Sequence, residues 1–102
     1  MTYDGEYLNE MRHGKGVLVW EDGTKYSGDW KEDNRHGQGT ITYPDGMLYN
    51  GQWRDDLMNG QGDCEFPDGC KYSGLWKDDA RHGHGVLTMP SGDIYDGSWE
   101  ED

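Results

Sequence analysis

Basic residues are scarce in this sequence: nine lysines and arginines stand against 21 aspartates and glutamates, a net charge of −12. Nucleic-acid phosphates repel such a chain. So do anionic bilayers, which attract polybasic segments by about 1 kcal/mol per charge. Cysteine is nearly missing, and two residues, Cys64 and Cys70, make no disulfide framework. They flank a turn at 67–69 and are read as reduced thiols. No apolar run approaches the length of a membrane span and no secretory pattern precedes Thr2, so the expected compartment is the cytoplasm. Only 31% of residues are apolar, too few for an ordinary two-layer globule of 102 residues. Nucleophile elbow, phosphate loop and HExxH motifs are all missing, and the expectation is a chain with neither enzymatic activity nor cofactor.

What the sequence does have is a register. Tyr3, Tyr26, Tyr49, Tyr72 and Tyr95 follow one another at 23-residue intervals, with Gly5, Gly28, Gly51, Gly74 and Gly97 two places behind each. Tyr7, Trp30, Trp53, Trp76 and Trp99 come next, then His13, His36, Asn59 and His82, each followed by a Gly-x-Gly. Asp22-Gly23, Asp45-Gly46, Asp68-Gly69 and Ser91-Gly92 close the units. The chain divides into units 3–25, 26–48, 49–71 and 72–94 and a partial unit 95–102, all in one array spanning 1–102. Low apolar content with high charge alone suggests disorder. Periodic aromatics argue instead for an array in which each unit buries its rings against its neighbours.

No segment has a helical period. In Tyr26-Ser27-Gly28-Asp29-Trp30 the period is two, with Tyr, Gly and Trp on one face. In the strand from Gly37 to Tyr43 the same parity groups Gly37, Gly39, Ile41 and Tyr43. Residues 31–36 link the two strands, and Pro44-Asp45-Gly46 signals a tight turn to the next unit. The expected fold is all-β, an elongated single-layer antiparallel meander of repeated β-hairpins, roughly nine strands long. Glycines on an aromatic strand face need a reason, because glycine weakens strands. Rings lying over the bare backbone of a neighbouring strand supply one.

The unit Y-x-G-x-W-x6-G-x-G-x5-D/S-G, with His before the first Gly of the pair, resembles the MORN repeat (membrane occupation and recognition nexus) over essentially the whole chain. The strings "RHGQG" and "RHGHG" are similar to units of radial-spoke-head and other cytoskeletal MORN proteins. The chain departs from the common pattern where many units have Gly or Asn three residues after the Trp: here stand Glu10, Asp33, Asp56 and Asp79. Asn59 replaces His in the third unit.

The resemblance implies a binding and scaffolding module. On this reading a groove lined by Tyr26, Trp30, Tyr43, Tyr49, Trp53, Phe66, Tyr72 and Trp76 is left open, since no second layer covers it. The alternative is that ring-on-glycine packing consumes the aromatic face. An amphipathic helix or extended peptide of a protein partner, its basic residues meeting acidic rims, is one expected occupant. Another copy of the chain, paired as a homodimer through terminal strands such as the edge at "SWEED", is the other. The rims are assigned from Asp4, Glu6, Asp29 and Asp96 on one side and Glu21, Asp22, Asp45, Asp63, Glu65, Asp68 and Asp93 on the other, with Arg35 and Arg81 placed in acidic turns. The family also implies a cytoskeletal or ciliary setting. The competing function is a membrane-associated phospholipid-binding module or the regulatory region of a larger enzyme. His13, His36 and His82 are about 10 Å apart if strands lie ~4.8 Å apart, too far to share a metal ion, and are expected to make structural hydrogen bonds. Paired carboxylates such as Asp55-Asp56 lack calcium-loop spacing and are read as solvated turns.

Overall fold

Each repeat folds as one β-hairpin, and the hairpins join edge to edge. The computed structural model describes residues 1–99; Glu100, Glu101 and Asp102, which end the partial unit 95–102 and the "SWEED" edge, lie outside the described residues. The strands are β1 (Thr2–Leu8), β2 (Met11–Val19), β3 (Lys25–Lys31), β4 (Asn34–Thr42), β5 (Leu48–Arg54), β6 (Leu57–Glu65), β7 (Lys71–Lys77), β8 (Ala80–Thr88) and β9 (Ile94–Trp99). Their order in the sheet is their order in the chain, and every described pair is antiparallel. The result is one open all-β meander, elongated to 47 × 24 × 16 Å.

The link inside each hairpin is tighter than expected. In place of residues 31–36, the chain reverses over Glu32 and Asp33 alone, and Asn34, Arg35 and His36 already belong to β4. Both turn residues have positive φ, 49° and 70°, as do Asp55/Asp56 and Asp78/Asp79. Two-residue hairpins of this kind usually take Asn or Gly. The aspartate compensates by reaching one hairpin back: the Asp33 amide donates to the Arg12 carbonyl at 3.0 Å, and its Oδ1 accepts the Arg12 amide at 2.7 Å. Asp56 makes the same two bonds to Arg35, and Asp79 to Met58. The acidic residue found where other units have Gly or Asn therefore bridges consecutive repeats. Between hairpins the expected turn forms, with Gly46 at φ 101° and the Asp45 carboxylate accepting the Met47 amide at 2.9 Å.

A bulge interrupts every hairpin at one place. Between the pairs Gly28↔Gly39 and Trp30↔Arg35, Asp29 stands opposite His36, Gly37 and Gln38. Gly37 absorbs the kink at φ 82°, a conformation that costs a side chain. The first glycine of each Gly-x-Gly thus serves the backbone and does not complete an inward face. Across the bulge the Asp29 Oδ2 accepts the Gln38 amide at 3.1 Å, and Glu6 and Gln52 do the same for Lys15 and Gln61.

Candidate functional site

The second glycine of each pair is a socket for a tyrosine. A Cβ on Gly39 would collide with the phenol end of the Tyr26 ring, at its hydroxyl and Cζ, and Gly16, Gly62 and Gly85 stand in the same relation to Tyr3, Tyr49 and Tyr72. Beside it Gly28 faces the Gly39 backbone, so neither strand tolerates a side chain there. The tyrosine hydroxyl then reaches past the socket to the bulge: Tyr26 Oη donates to the Asp29 carbonyl at 2.8 Å, and Tyr49 Oη to that of Gln52 at 2.8 Å. Tryptophan uses the same glycine from the next unit. The Trp53 Nε1 donates to the Gly39 carbonyl at 3.0 Å, and Trp30 and Trp76 repeat the bond to Gly16 and Gly62. Tyrosines and tryptophans alternate edge-to-face along the sheet, with centroids 5.0 Å apart for Tyr26–Trp30 and 5.5 Å for Tyr26–Trp53, a favoured geometry for aromatic pairs.

This packing changes the expected groove. Tyr26, Tyr49 and Tyr72 are at most 1% exposed, and Trp30, Trp53 and Trp76 at most 6%. Rings that lie on glycine and on each other leave a partner nothing to touch, so of the eight residues assigned to the open groove only Tyr43 and Phe66 keep part of their surface. Leu18, Ile41 and Cys64 complete the core, and Cys64 occupies the place that Leu18 and Ile41 hold in the first two units.

The surface of the ring face is built by residues the groove assignment left out. Arg35 is not the turn residue expected: it lies on β4, as Arg12 lies on β2, and their guanidinium carbons are 4.6 Å and 4.7 Å from the ring centroids of Trp53 and Trp30. Arg81, on β8, lies 4.5 Å from Trp99 and 5.6 Å from Phe66. Met58 takes the arginine's place in the third unit and is buried. Opposite this row, Trp20, Tyr43 and Phe66 stand half-buried at the strand ends. A hollow of about 250 Å³ opens between Arg12, Trp20, Trp30, Asp33, Arg35 and Asp56. Another of about 470 Å³ is walled by Phe66, Pro67, Asp68, Cys70, Arg81 and Leu87.

The family model described as MORN repeat matches residues 3–25, 26–48, 49–71 and 72–94. This chain belongs to the MORN-repeat family. A search of the curated proteins finds no match. MORN repeats are protein- and membrane-interaction modules, and the surface of this MORN array is therefore the place to look for function.

Charge on the array is sorted by position. Asp4, Glu6, Asp29, Asp63, Glu65 and Asp96, assigned to the rims from sequence, share the outer face of the sheet with Lys15, Lys25, Lys31, Arg54, Lys71 and Lys77 and are balanced by them. The excess acid lies at the turns: Glu10, Glu32, Asp55, Asp78 and their neighbours along one edge, Glu21, Asp22, Asp45, Asp68 and Asp93 along the other. Hydrogen bonds from the Arg12 backbone and side chain hold the Asp33 carboxyl below its ordinary range. Turn amides do the same for Asp22 and Asp68. Burial pushes the Cys64 thiol up to about 11, and both cysteines are free.

Two of the recurring histidines, His36 and His82, do not play the expected part. Nδ1 of His36 and of His82 is buried without a hydrogen-bond partner among the described residues, in the bulge where backbone groups pair with Asp29-type side chains instead. The arginines carried a signal that could have been found, since Arg12, Arg35 and Arg81 recur at the repeat period just before the histidine. A period-two count starting from Gly37 stops short of them.

Proposed function

We propose that this MORN array is a non-enzymatic protein–protein interaction scaffold that binds a partner segment along its ring face, between two acidic rims. The observation that supports this most is the pair of hollows beside the aromatic ladder, where half-buried Trp20 and Phe66 and ring-stacked arginines remain within reach of a ligand. Aromatic and arginine side chains are those most enriched among binding hot spots. Acidic turn edges favour basic residues in the partner and disfavour nucleic acid and anionic lipid. The terminal strands support a second use of the scaffold. β1 and β9 each have one unpaired side within the described sheet, with Leu8 and Ile94 more than half exposed, and such edges can pair with another copy. A cytoplasmic place beside cytoskeleton or cilium follows from the family resemblance and belongs to the same proposal.

The test is titration with a labelled basic amphipathic peptide at low and high salt, with sedimentation equilibrium over a range of protein concentrations. Binding that weakens with salt is expected, and a dimer that persists in high salt would assign the edges. A monomer that binds no peptide of any charge contradicts the proposal.

A further inference from the structure

One position breaks the pattern of the ring face. In three units an arginine lies on a tryptophan of the next unit: Arg12 on Trp30 at 4.7 Å, Arg35 on Trp53 at 4.6 Å and Arg81 on Trp99 at 4.5 Å. Arg12 and Arg35 also hold the second turn aspartate of that next unit. Each donates from Nε to Oδ1 of Asp33 or Asp56 at 3.0 Å, and from Nη2 to the carbonyl of the same residue at 3.3 Å and 3.0 Å. In the third unit Met58 stands in the arginine's place on β6 and keeps only the backbone half of the contact, its amide donating to Asp79 Oδ1 at 2.7 Å. Asp79 is left without a guanidinium. Among the described residues no cation pairs with its carboxylate and no side chain donates to its carbonyl, and it is exposed where Asp33 and Asp56 are half-buried.

The place keeps its other walls. Arg35 lies 5.9 Å from Trp20 and Arg81 5.6 Å from Phe66, so by the repeat a guanidinium at Asp79 lies beside Tyr43. Burial raises the Tyr43 phenol above its ordinary range, with Arg35 opposing and the Asp79 charge adding to the rise, which places Tyr43 between the two. Neighbouring cations are directed elsewhere: Arg81 lies on Trp99, and Arg54 and Lys77 border a separate hollow with Asp78. The turns at 44–46 and 67–69 add Asp45 and Asp68 and no basic residue. Local charge is therefore negative, unlike the hollow at Arg12 and Arg35, where each arginine is matched by its own aspartate.

We infer that the third unit is where the array takes its basic partner, which supplies from outside the arginine that position 58 lacks: the guanidinium pairs with the Asp79 carboxylate and carbonyl and lies against Tyr43. This rests on the proposed ring-face scaffold and names the residue it reads. Lysine fits less well, because a point charge neither forks between carboxylate and carbonyl nor stacks on a ring as a planar guanidinium does. Met58, buried beneath, supplies an apolar floor and no charge.

The probe is a short labelled peptide with one arginine among serines, glycines and a phenylalanine, compared with its lysine, glutamine and glutamate analogues on the full chain. Fluorescence anisotropy gives affinities, and ¹⁵N–¹H spectra follow the amides of Met58 and Asp79. The arginine peptide is expected to bind about fivefold tighter than the glutamine one, and tighter than the lysine one, with both amides shifting. Met58→Arg installs the residue that the other three units carry and should abolish that preference by occupying Asp79 from within. Asp79→Asn, which tolerates the φ of 70° and keeps an acceptor for the Met58 amide, should abolish it too. Asp78→Asn removes the same charge one residue away and should change affinity less than about twofold. Equal affinity for arginine and glutamine, or a preference that survives Met58→Arg and Asp79→Asn, would overturn the inference. An arginine peptide that instead shifts signals around Trp20 and Arg12 would overturn it and leave the proposed function standing; no binding by a peptide of any charge fails both.

Discussion

At the residue scale, one glycine in each unit does three jobs. Gly39 seats the Tyr26 ring, lies against Gly28, and offers its carbonyl to Trp53. Gly39→Val therefore drives its Cβ into the phenol end of Tyr26, and the loss should be at the upper end of the about 1–3 kcal/mol typical of overpacking or beyond it. Urea denaturation checks this against Thr40→Val on the other face; equal stability of the two variants would contradict the socket. The ring-over-glycine relation was legible in the sequence, because aromatics and glycines share a parity on neighbouring strands. Which ring uses the socket was not. Parity treats Tyr26 and Trp30 alike, and past the bulge at Asp29 the tryptophan reaches back to the preceding unit, Trp30 to Gly16, while the tyrosine stays on its own hairpin.

At the element scale, the two-residue turn is the joint between repeats. Asp56 adopts a left-handed conformation to give Arg35 both an acceptor and a donor, so Asp56→Ala loses a part-buried hydrogen bond and keeps the strained φ of 72°. Its expected cost is about 1–2 kcal/mol by thermal or urea melting, while Asp56→Asn, which tolerates that φ and retains an acceptor, should lose well under half as much. If the two variants melt alike, the bridge contributes nothing. Acid acts on the same elements. Asp22, Asp33 and Asp68 have folded-state pKa values below the ordinary 3.8. The unfolded chain thus binds more protons just below that pH, and these groups contribute stability above pH ~4 that is lost as pH falls through their folded values. Urea midpoints measured from neutral pH down to about pH 3 should fall most steeply below about pH 4. These turns were half legible. Pro-Asp-Gly marked the turns between hairpins, but an acidic pair without Gly or Asn does not advertise a two-residue reversal, because its partner lies 21 residues upstream.

At the scale of the whole molecule, a ladder of alternating tyrosine and tryptophan runs from Tyr3 to Trp99 and takes the place of a second layer. The open meander was legible from period and parity. The closure of its aromatic face was not, since sequence shows which rings share a side and not whether they interlock. Tyr26, Trp30, Tyr49, Trp53, Tyr72 and Trp76 therefore stand as core, and the hollows proposed to take a partner are lined instead by residues such as Arg12, Arg35, Trp20 and Phe66. The most direct test of this account is the ¹H–¹³C spectrum of the glycine α-protons with NOEs to aromatic protons. The account predicts that Gly16, Gly39, Gly62 and Gly85 shift together, displaced upfield by ring currents, each with NOEs to the tyrosine of its own hairpin. Unshifted α-protons without those NOEs would contradict it and reopen the aromatic face as a binding groove.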